Sequence, residues 1–329
     1  VTSGYTFGTT GEHIVKYYLN STSIGSQAFK GCSALTSVEI PDTVTSIGSS
    51  AFSQCYELIN INIPSGVTSI GSSAFYNCGK LTSVEIPNTV TSIGNSAFTY
   101  CYKLATVNIP SGVTYINDST FRQCRSITNI NIPSGVTSIG NNAFNTCSGL
   151  TNIDLPSNLT NIGISAFSDC KSVTSIVIPN SVTNLGNYAF EGCNKLASVT
   201  LPNRITAIGD GVFWYCFELK SIGLVGSGAS IEIPNTVTSI GGDAFHSCSG
   251  LITVTLPNSV TWIGMGAFYS CTGLTSITIN ATTPPRISTT TLPFMDTNNC
   301  PIYVPSGSVD TYKAASGWSK YASRIQAIP

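Results

Sequence analysis

The cysteines of this chain recur at a fixed interval, and that interval restricts the possible folds more than any other feature. From Cys32 to Cys216 they stand 23 residues apart, and Cys248 and Cys271 resume the interval after a nine-residue insertion. A phenylalanine precedes each of these cysteines by three positions. Because a unit of 23 residues cannot bury its own apolar face, neighbouring units have to stack on one another. The repeat therefore predicts one solenoid domain.

Within a unit, the apolar residues predict where the backbone is extended. Val38 and Ile40 alternate with polar residues, as in a half-buried strand, and Pro41 ends the alternation because it cannot donate to a ladder. We expect residues 37–40 to form one rung of a parallel ladder on the inner face of a right-handed coil, about 4.8 Å from the next rung. A second short ladder, near residues 45–47, is expected outside.

The second half of the unit predicts turns. Gly48, replaced by Asn117 in the fifth unit, is expected at a corner with positive φ. Residues 51–55 are too few for an α-helix and predict a tight 3₁₀-like turn. Because a coil of this length has no room for long outer helices, we expect the sheet content to exceed the helix content.

The two ends of the chain depart from the repeat, as exposed solenoid ends must. Residues 1–23 predict an N-terminal cap with a partial repeat, and residues 24–279 carry the 23-residue repeats, with the insertion near 225–233. Residues 280–329 predict a C-terminal cap, which includes a small helix over 308–316 that a glycine ends. The chain is thus expected to be a capped solenoid.

Composition argues against several classes of protein. Charged residues make up 9% of the chain, against about 25% in a typical soluble domain. The net charge is −1, so no basic surface for nucleic acid is present. No apolar run approaches the ~20 residues that span a bilayer. The chain begins without Met or an apolar leader, so we expect an excised mature segment.

Residues that could support catalysis are few. Glu39 and Glu85 share a repeat position and lie roughly 10 Å apart, near the carboxyl separation of inverting glycosidases. The Ser, Thr and Asn around them offer no apolar pocket that would raise a pKa. His13 and His246 are the only histidines and stand more than nine units apart. We therefore expect no enzyme activity and no cofactor.

The twelve cysteines leave two interpretations open. Cysteines of exported proteins often form disulfides, yet stacked side chains at one repeat position point in parallel, whereas a disulfide requires converging Cβ atoms. Free cysteine packs as a small hydrophobe, and a single line of thiols cannot supply four tetrahedral zinc ligands. We expect a ladder of buried reduced thiols and no metal site, with partial disulfides as the alternative.

The repeat pattern resembles that of a known family. The motif Leu-x-x-Val-x-Ile-Pro beginning at Leu35, with Val-x-x-Ile-Gly-x-x-Ala-Phe-x-x-Cys after it, is similar to the repeat of BspA-like surface antigens. These are bacterial leucine-rich-repeat proteins that are also found in some protists. The resemblance covers residues 24–279, and the segment Cys-Pro-Ile-Tyr-Val-Pro at 300–305 is similar to the closing segment of bacterial members.

The resemblance implies a leucine-rich-repeat solenoid with a binding role. Family members are surface or secreted proteins, and some act as adhesins for host matrix proteins or other cells. The implied function is a non-enzymatic, adhesin-like module that recognises a host or microbial macromolecule, either a protein or a glycan. The alternative is a structural spacer or a self-associating surface element, in which near-identical repeats only extend the chain.

Two groups of side chains near the repeat cysteines are candidates for partner binding, because binding hot spots favour Trp, Tyr and Arg. The first group is Tyr76, Tyr100, Tyr102, Arg122 and Arg125. The second, beside the insertion, is Trp214, Tyr215 and Phe217. Their alternative role is to shield the edge of the solenoid or to mediate self-association. A competing surface is the polar strip on the inner ladder, which runs through Glu39, Asn62, Glu85, Asn108, Asn131 and Asp154.

Overall fold

Each repeat makes one coil of a parallel β-solenoid, and the coils stack in register. The computed structural model describes residues 22–223 and 230–329, so residues 1–21 of the cap expected over 1–23 and most of the insertion near 225–233 lie outside the described residues. Within a regular stretch, paired residues are one repeat apart, as in Ser83 opposite Asn60. The solenoid predicted from the cysteine interval is therefore confirmed.

The described residues contain 23 short strands, one α-helix and two 3₁₀ helices. In chain order the strands are β1 (Ser23–Ile24), β2 (Ser46–Ile47), β3 (Asn60–Asn62), β4 (Ser69–Ile70), β5 (Ser83–Glu85), β6 (Ser92–Ile93), β7 (Thr106–Val107), β8 (Tyr115–Ile116), β9 (Ser138–Ile139), β10 (Asn161–Ile162), β11 (Ser175–Val177), β12 (Asn184–Leu185), β13 (Ser198–Thr200), β14 (Ala207–Ile208), β15 (Ser221–Ile222), β16 (Ser230–Glu232), β17 (Ser239–Ile240), β18 (Thr253–Leu256), β19 (Trp262–Ile263), β20 (Ser276–Ile279), β21 (Arg286–Ile287), β22 (Ile302–Val304) and β23 (Ile325–Ala327). Helix α1 covers Val309–Ala314, between 3₁₀ helices at Ser306–Ser308 and Trp318–Tyr321.

The strands form two parallel ladders along the solenoid. Ladder A comprises β3-β5-β7 and, after a single bridge from Asn131 to Asp154, β11-β13-β15-β16-β18-β20-β22-β23. Ladder B consists of three runs, β1-β2-β4-β6, β8-β9-β10-β12 and β14-β17-β19-β21. Because β2 covers Ser46–Ile47, ladder B confirms the second short ladder expected near residues 45–47.

The prediction of a rung at residues 37–40 is wrong for the first unit. These residues form no strand, and ladder A begins one coil later with β3. Ile40 is nevertheless buried at 6% exposure, so the apolar alternation does place its side chain in the core. The alternation reports which side chains face inward, whereas a rung also requires that the backbone pair with a neighbouring coil.

Residues 48–55 and their equivalents form a third stack, made of turns. The N–H groups of Ala51 and Cys55 donate to carbonyl oxygens three residues back. Between them, the N–H of Phe52 donates to the carbonyl of Ala74 in the next coil at 2.8 Å. Alternate amides thus close a turn or join two coils, which satisfies the backbone without a helix.

The prediction of positive φ at Gly48 is wrong, because the left-handed residues lie further along the turn. Ser50 has φ 57° and Gln54 has φ 64°, and the equivalent positions of the following units are also left-handed. Each stands third in a turn closed by a bond from residue four to residue one, where a type II turn needs positive φ. Gly48 is required for another reason: a Cβ there would lie 2.6 Å from the backbone nitrogen of Ser26.

The fifth unit shows what happens when this glycine is absent. Asn117 occupies the position, and ladder B is interrupted there, between β6 and β8. The side-chain amide of Asn117 donates to the carbonyl of Ile93 at 2.6 Å. In the coil before, the backbone N–H of Gly94 makes the corresponding bond to Ile70. The amide therefore replaces a backbone donor where a Cβ prevents close approach, and φ at Asn117 is not positive.

Two columns of identical side chains run through the core. The phenylalanine rings from Phe29 to Phe294 stack with centroids 5.0–5.9 Å apart and planes within 18°. Beside them, each sulfur from Cys55 to Cys271 donates to the carbonyl of the phenylalanine in the preceding coil, at 3.0–3.3 Å. These ten cysteines therefore act as free, hydrogen-bonded core residues, whereas Cys32 in the first unit is exposed.

The C-terminal segment closes the phenylalanine column. Trp318 packs at 5.9 Å from the ring of Phe294 and donates its indole N–H to the carbonyl of Pro285 at 2.7 Å. The hydroxyl of Tyr321 accepts the backbone N–H of Phe294 at 2.9 Å. Ladder A continues through this segment as β22 and β23, and helix α1 is shorter than the helix predicted over 308–316. No helix among the described residues is long and apolar enough to cross a membrane.

Candidate partner-binding surface

The residues on either side of each repeat cysteine form a continuous surface along the solenoid. We call it the turn edge and define it as the two positions before and the two positions after every repeat cysteine. From Phe52 and Cys55 to Phe268 and Cys271, the cysteine and the phenylalanine three positions before it are buried in the core, so most side chains next to them are left at the surface. Both groups of candidate residues lie on this edge.

The structure brings the first group together, and we call it the Tyr–Arg patch: Tyr76, Tyr100, Tyr102, Arg122 and Arg125. The rings of Tyr76 and Tyr100 meet edge to face with centroids 5.4 Å apart, and Tyr102 lies 5.8 Å from Tyr100. The guanidinium carbons lie over rings of the preceding coil, Arg122 at 6.0 Å from Tyr100 and Arg125 at 5.2 Å from Tyr102. The five side chains from three coils thus form one contiguous surface.

Neutral amides, not carboxylates, hold the two guanidinium groups. Arg125 donates through two nitrogens to the side-chain oxygen of Gln123, at 2.9 and 2.6 Å. Arg122 donates to the amide oxygen of Asn145 at 3.4 Å. Among the described residues neither arginine is in an ion pair. Both positive charges are therefore positioned by the fold and remain available to a carboxylate of a partner.

The second group is also brought together, and it is larger than predicted. Trp214 stacks on Tyr215 with centroids 5.0 Å apart, and Tyr215 lies 5.7 Å from Phe217. His246 packs against Trp214 at 5.5 Å and against Tyr269 at 4.8 Å. We call these five residues the aromatic cluster. It extends over three coils of the turn edge.

Three residues of this region were missed by sequence reasoning, namely Tyr188, His246 and Tyr269. His246 and Tyr269 stand two positions before their cysteines, as Trp214 does, so aligning that single position would have found them. His246 Nδ1 lies 2.8 Å from Asp243 Oδ1, which orients its ring. Tyr188 reaches Trp214 at 6.3 Å from a different repeat position, and no spacing signal indicates it.

The two groups do not meet, because three coils that carry other types of side chain, those of Cys147, Cys170 and Cys193, lie between them on the turn edge. The coil of Cys147 carries only small neutral residues there, Asn145, Thr146, Ser148 and Gly149. The next two coils carry Asp169 and Glu191, and Lys171 Nζ lies 3.3 Å from Asp169 Oδ1. Partial burial and the neighbouring Asp169 raise the pKa of Glu191. The edge is therefore basic at the Tyr–Arg patch, neutral at the coil of Cys147 and of mixed charge over the next two coils, where Lys171 and Lys195 accompany Asp169 and Glu191.

The competing polar strip is exposed, but one of its amides has a structural role. Asn62 and Glu85 lie on the solvent side of β3 and β5. Asn108 instead accepts the backbone N–H of Ile86 and donates to its carbonyl, both at 2.7 Å. Its side chain thus pairs with the backbone of Ile86 in the place of a neighbouring strand.

A shallow groove of about 420 Å³ opens where ladder A is interrupted beside Val177.

An exposed aromatic residue also lies outside both groups. Trp262 on β19 is 37% exposed, and the guanidinium carbon of Arg286 lies 5.6 Å from its ring. Ser239 precedes Trp262 at this position of ladder B, so the change of residue type in the column could have indicated the pair. The pair lies on ladder B and not on the turn edge.

The described residues offer little for catalysis or metal binding. No group of three or more His, Cys, Asp or Glu among them is arranged to hold a metal ion. Burial raises the pKa of the thiols of Cys101 and Cys147 to about 12, so the thiolate that acts as nucleophile or metal ligand is suppressed. What the turn edge presents is contact area, hydroxyl groups and positive charge.

A family model for BspA-type leucine-rich repeat regions, in six copies, matches residues 22–150, 114–228 and 226–299. The chain belongs to the BspA-type leucine-rich repeat family. The resemblance seen in the repeat motif is thereby confirmed, and so is the solenoid of leucine-rich repeats that it implied. No curated protein sequence matches the chain.

Solved structures of bacterial leucine-rich repeat proteins share the fold. A leucine-rich repeat protein from Bacteroides ovatus is 29% identical with a TM-score of 0.71, over 93% of this chain and 87% of that one. A leucine-rich cell surface protein from Faecalibacterium prausnitzii is 32% identical with a TM-score of 0.49, over 82% and 85%. The pneumococcal vaccine antigen PcpA is 17% identical with a TM-score of 0.53, over 93% and 83%, and shows the fold alone.

Proposed function

We propose that this chain is a non-enzymatic module of an extracellular or cell-surface protein and that it binds a protein partner through the Tyr–Arg patch. The observation that carries the proposal is the contiguity of Tyr76, Tyr100, Tyr102, Arg122 and Arg125 across neighbouring coils. The BspA-type family supports a protein-binding role. A relative described as a cell surface protein supports the location.

The chemistry of the patch favours a protein partner over a neutral glycan. Tyrosine and arginine supply large contact area and directional hydrogen bonds, and they are enriched among residues that dominate binding energy. The two guanidinium groups lack a carboxylate partner among the described residues, so a carboxylate of a partner would add charge-assisted hydrogen bonds. We propose a host or microbial macromolecule as partner, with matrix proteins as the first class to screen.

Binding of the intact chain to immobilised matrix proteins and to a glycan array tests the proposal. The patch variant Tyr100→Asn/Tyr102→Ser/Arg125→Ser carries residue types that other units have at these positions. Because Tyr100 has φ 64°, asparagine suits its backbone. Truncation of a hot spot costs about 2 kcal/mol or more, so we expect at least a ~30-fold loss of affinity for a protein ligand.

The matched control is Asn62→Ser/Glu85→Ser, which removes exposed side chains from ladder A without touching the turn edge. We expect this control to bind as the unchanged protein does, and both variants to keep its melting temperature. Loss of binding by the ladder A variant, with full binding by the patch variant, would move the site to the polar strip. Binding to glycans alone would contradict the choice of a protein partner.

A further inference from the structure

We propose that the Tyr–Arg patch binds a short, extended segment of its partner protein, in which two or three carboxylates stand next to apolar residues. This inference rests on the proposed function and deepens it, because it names the part of a protein that fits the patch. It also assigns the patch to an acidic protein segment rather than to a polyanionic glycan. The charges, the free hydrogen-bond donors and the order of side chains along the turn edge support it.

The positive charge of the patch is local. Arg122, Arg125 and Lys103 lie on two neighbouring coils, and none of them is in an ion pair among the described residues. The next cation along the edge, Lys80, is bridged to Glu57 at 2.5 Å, so its charge is balanced. On the other side, the following coil carries only small neutral residues on the turn edge. The unpaired cations therefore stand between two neutral borders.

Both arginines keep hydrogen-bond donors for a ligand. Gln123 accepts from Nε and Nη2 of Arg125, at 2.9 and 2.6 Å, and no bond among the described residues engages Nη1. Asn145 accepts only from Nε of Arg122, which leaves both terminal nitrogens of that group to a ligand. The N–H groups of a guanidinium match the two oxygens of a carboxylate. The fold therefore presents oriented donors for carboxylates.

The tyrosine hydroxyl groups add donors without negative charge. Partial burial and the nearby phenols of Tyr100 and Tyr102 raise the pKa of Tyr76, whereas the guanidinium of Arg122 lowers it. The phenol of Tyr76 therefore remains protonated at physiological pH, and it lies close enough to Arg122 for the two groups to interact electrostatically. Because a protonated phenol donates a hydrogen bond, the phenols and the arginines recognise the same chemical group.

The patch is cationic at one end and aromatic at the other. The arginines lie on the coil of Cys124, whereas Tyr76 lies two coils earlier and Tyr56, one coil before that, is 43% exposed. Between Tyr56 and Tyr102, the equivalent position on the turn edge is Gly79, which has no side chain. A Cβ there would lie in ordinary contact with Tyr102, 3.5 Å from its Cδ2. An apolar side chain of a partner can take this place beside the tyrosine rings.

The dimensions of the patch determine the length of the segment. Tyr56 and Arg125 occupy the same repeat position three coils apart, and three rung intervals span about 14 Å. An extended chain covers that distance with about five residues, at about 3.3–3.6 Å per residue. Two or three of them would be acidic, to match the unpaired cations, and those at the other end would be apolar.

A sulfated glycan fits the same surface less well. Such a chain carries negative charge along its length, so a continuous track of cations would be needed to bind it. Here the unpaired cations end after two coils, and beyond the neutral coil two lysines accompany Asp169 and Glu191. The aromatic end adds no charge. The arrangement therefore favours a partner with a few carboxylates next to apolar residues.

Peptides with this pattern test the inference on the full chain. The probe is the acetylated and amidated peptide Ser-Asp-Glu-Gly-Leu-Leu-Ser, together with its reverse-order form, because the patch does not determine the direction of the segment. We expect one order to bind with a dissociation constant of about 0.1–1 mM, since contacts of this size are weak. A peptide with Asn and Gln in place of the acids is expected to bind at least ~10-fold more weakly, because charge-assisted hydrogen bonds are the stronger ones.

Two double variants identify the residues that the acidic end contacts. Arg122→Gln/Arg125→Gln removes both charges but keeps long polar side chains, and we expect it to weaken binding of the acidic peptide at least ~10-fold. We expect it to bind the neutral peptide as the unchanged chain does, because the effects of removing two groups in contact do not add. Lys171→Gln/Lys195→Gln is the matched control, since it removes two positive charges from the same edge outside the patch. This control is expected to leave binding unchanged.

Three results would overturn the inference. They are no binding of either order below about 5 mM, equal binding of the acidic and neutral peptides, and equal losses of binding in the two double variants. Binding of a heparin hexasaccharide with no binding of either peptide would assign the patch to sulfated glycans instead.

These results differ from a failure of the proposed function, in which no whole protein loses affinity for the variant Tyr100→Asn/Tyr102→Ser/Arg125→Ser. Suppose that a protein ligand is lost by that variant but is bound fully by Arg122→Gln/Arg125→Gln. The proposed function would then stand, and the acidic segment would be contradicted.

Discussion

At the scale of single residues, the repeat cysteine combines three properties. It is buried, it donates from sulfur to a carbonyl of the preceding coil, and its thiol stays protonated. Cys147 shows all three, with the Phe121 carbonyl at 3.1 Å and a pKa of about 12 caused by burial. A serine side chain is equally small, but burying its hydroxyl group without a full set of hydrogen bonds costs more free energy. Cysteine suits a narrow column that offers a single acceptor per coil.

The pKa shifts predict how stability depends on pH. Cys101, Cys147 and Cys193 have pKa values near 12 in the folded chain, whereas an unfolded thiol has a pKa near 8.5. The contribution of these thiols to the free energy of unfolding is complete below about pH 8.5. It is lost as the pH rises towards the pKa values of the folded chain. Between these two pKa values, the free energy of unfolding falls by about 1.4 kcal/mol per pH unit for each thiol.

Denaturant unfolding at pH 8, 9 and 10 measures this effect. We expect the free energy of unfolding to fall steeply above pH 9, and Cys147→Ala to reduce the slope by one thiol's share. If Cys147→Ala leaves the pH dependence of the free energy of unfolding unchanged, the buried thiol of Cys147 is not one of its causes. In the native chain at pH 8, thiol reagents are expected to label Cys32, the exposed cysteine, before the buried ones.

At the scale of secondary-structure elements, the distance between neighbouring coils determines where the ladders run and where they stop. A Cβ at Gly71 would lie 2.5 Å from the backbone nitrogen of Ser49, so glycine is needed for ladder B to close. Asn117 shows the alternative, in which ladder B breaks and an amide takes over one bond. At the break between β6 and β8, the boundary of ladder B therefore depends on a single position.

Substitution at this glycine tests the argument. Gly71→Ala forces the backbone of one coil away from the next, and overpacking of this kind costs about 1–3 kcal/mol. Gly307→Ala is the matched control, because a Cβ there meets nothing within 4 Å. We expect thermal unfolding to shift down clearly for Gly71→Ala and little for Gly307→Ala. Equal melting temperatures would show that the coils can separate without cost.

At the scale of the whole molecule, stability is a sum of contacts between neighbouring coils. Ladders, turns and side-chain columns all join one coil to the next, so each coil is held by those beside it. Phe144 illustrates this, with rings of Phe121 at 5.5 Å and Phe167 at 5.3 Å on its two sides. Trp318 closes the column at one end. A defect in one coil therefore weakens both neighbours.

Phe144→Ala tests this coupling. The ring is fully buried, and truncation of a buried phenylalanine costs about 3–5 kcal/mol. Hydrogen exchange is expected to show lost protection in the coils of Cys124, Cys147 and Cys170, decreasing with distance along the solenoid. Ile164→Ala is the control, since this apolar side chain is 50% exposed and its removal is expected to change stability by less than ~0.5 kcal/mol. Uniform loss of protection would indicate a core that unfolds as one unit.

Much of this protein was determined by the sequence alone. The interval of 23 residues, the apolar alternation and the recurring Phe and Cys predict a stacked coil, two ladders and two core columns, because identical residues in equivalent coils occupy identical surroundings. The gathering of Tyr100, Tyr102 and Arg125 also follows from that register, since their coils are neighbours.

The tertiary structure decided what depends on contact between specific coils. Positive φ lies at Ser50 because the turn closes there, and glycine stands at 48 because the preceding coil leaves no room for a Cβ. Tyr188 joins Trp214 from an unrelated repeat position, and the amide of Asn108 pairs with a backbone. Spacing records which residues share a column, but the direction of a side chain and the gap between two backbones arise only when the coils are packed.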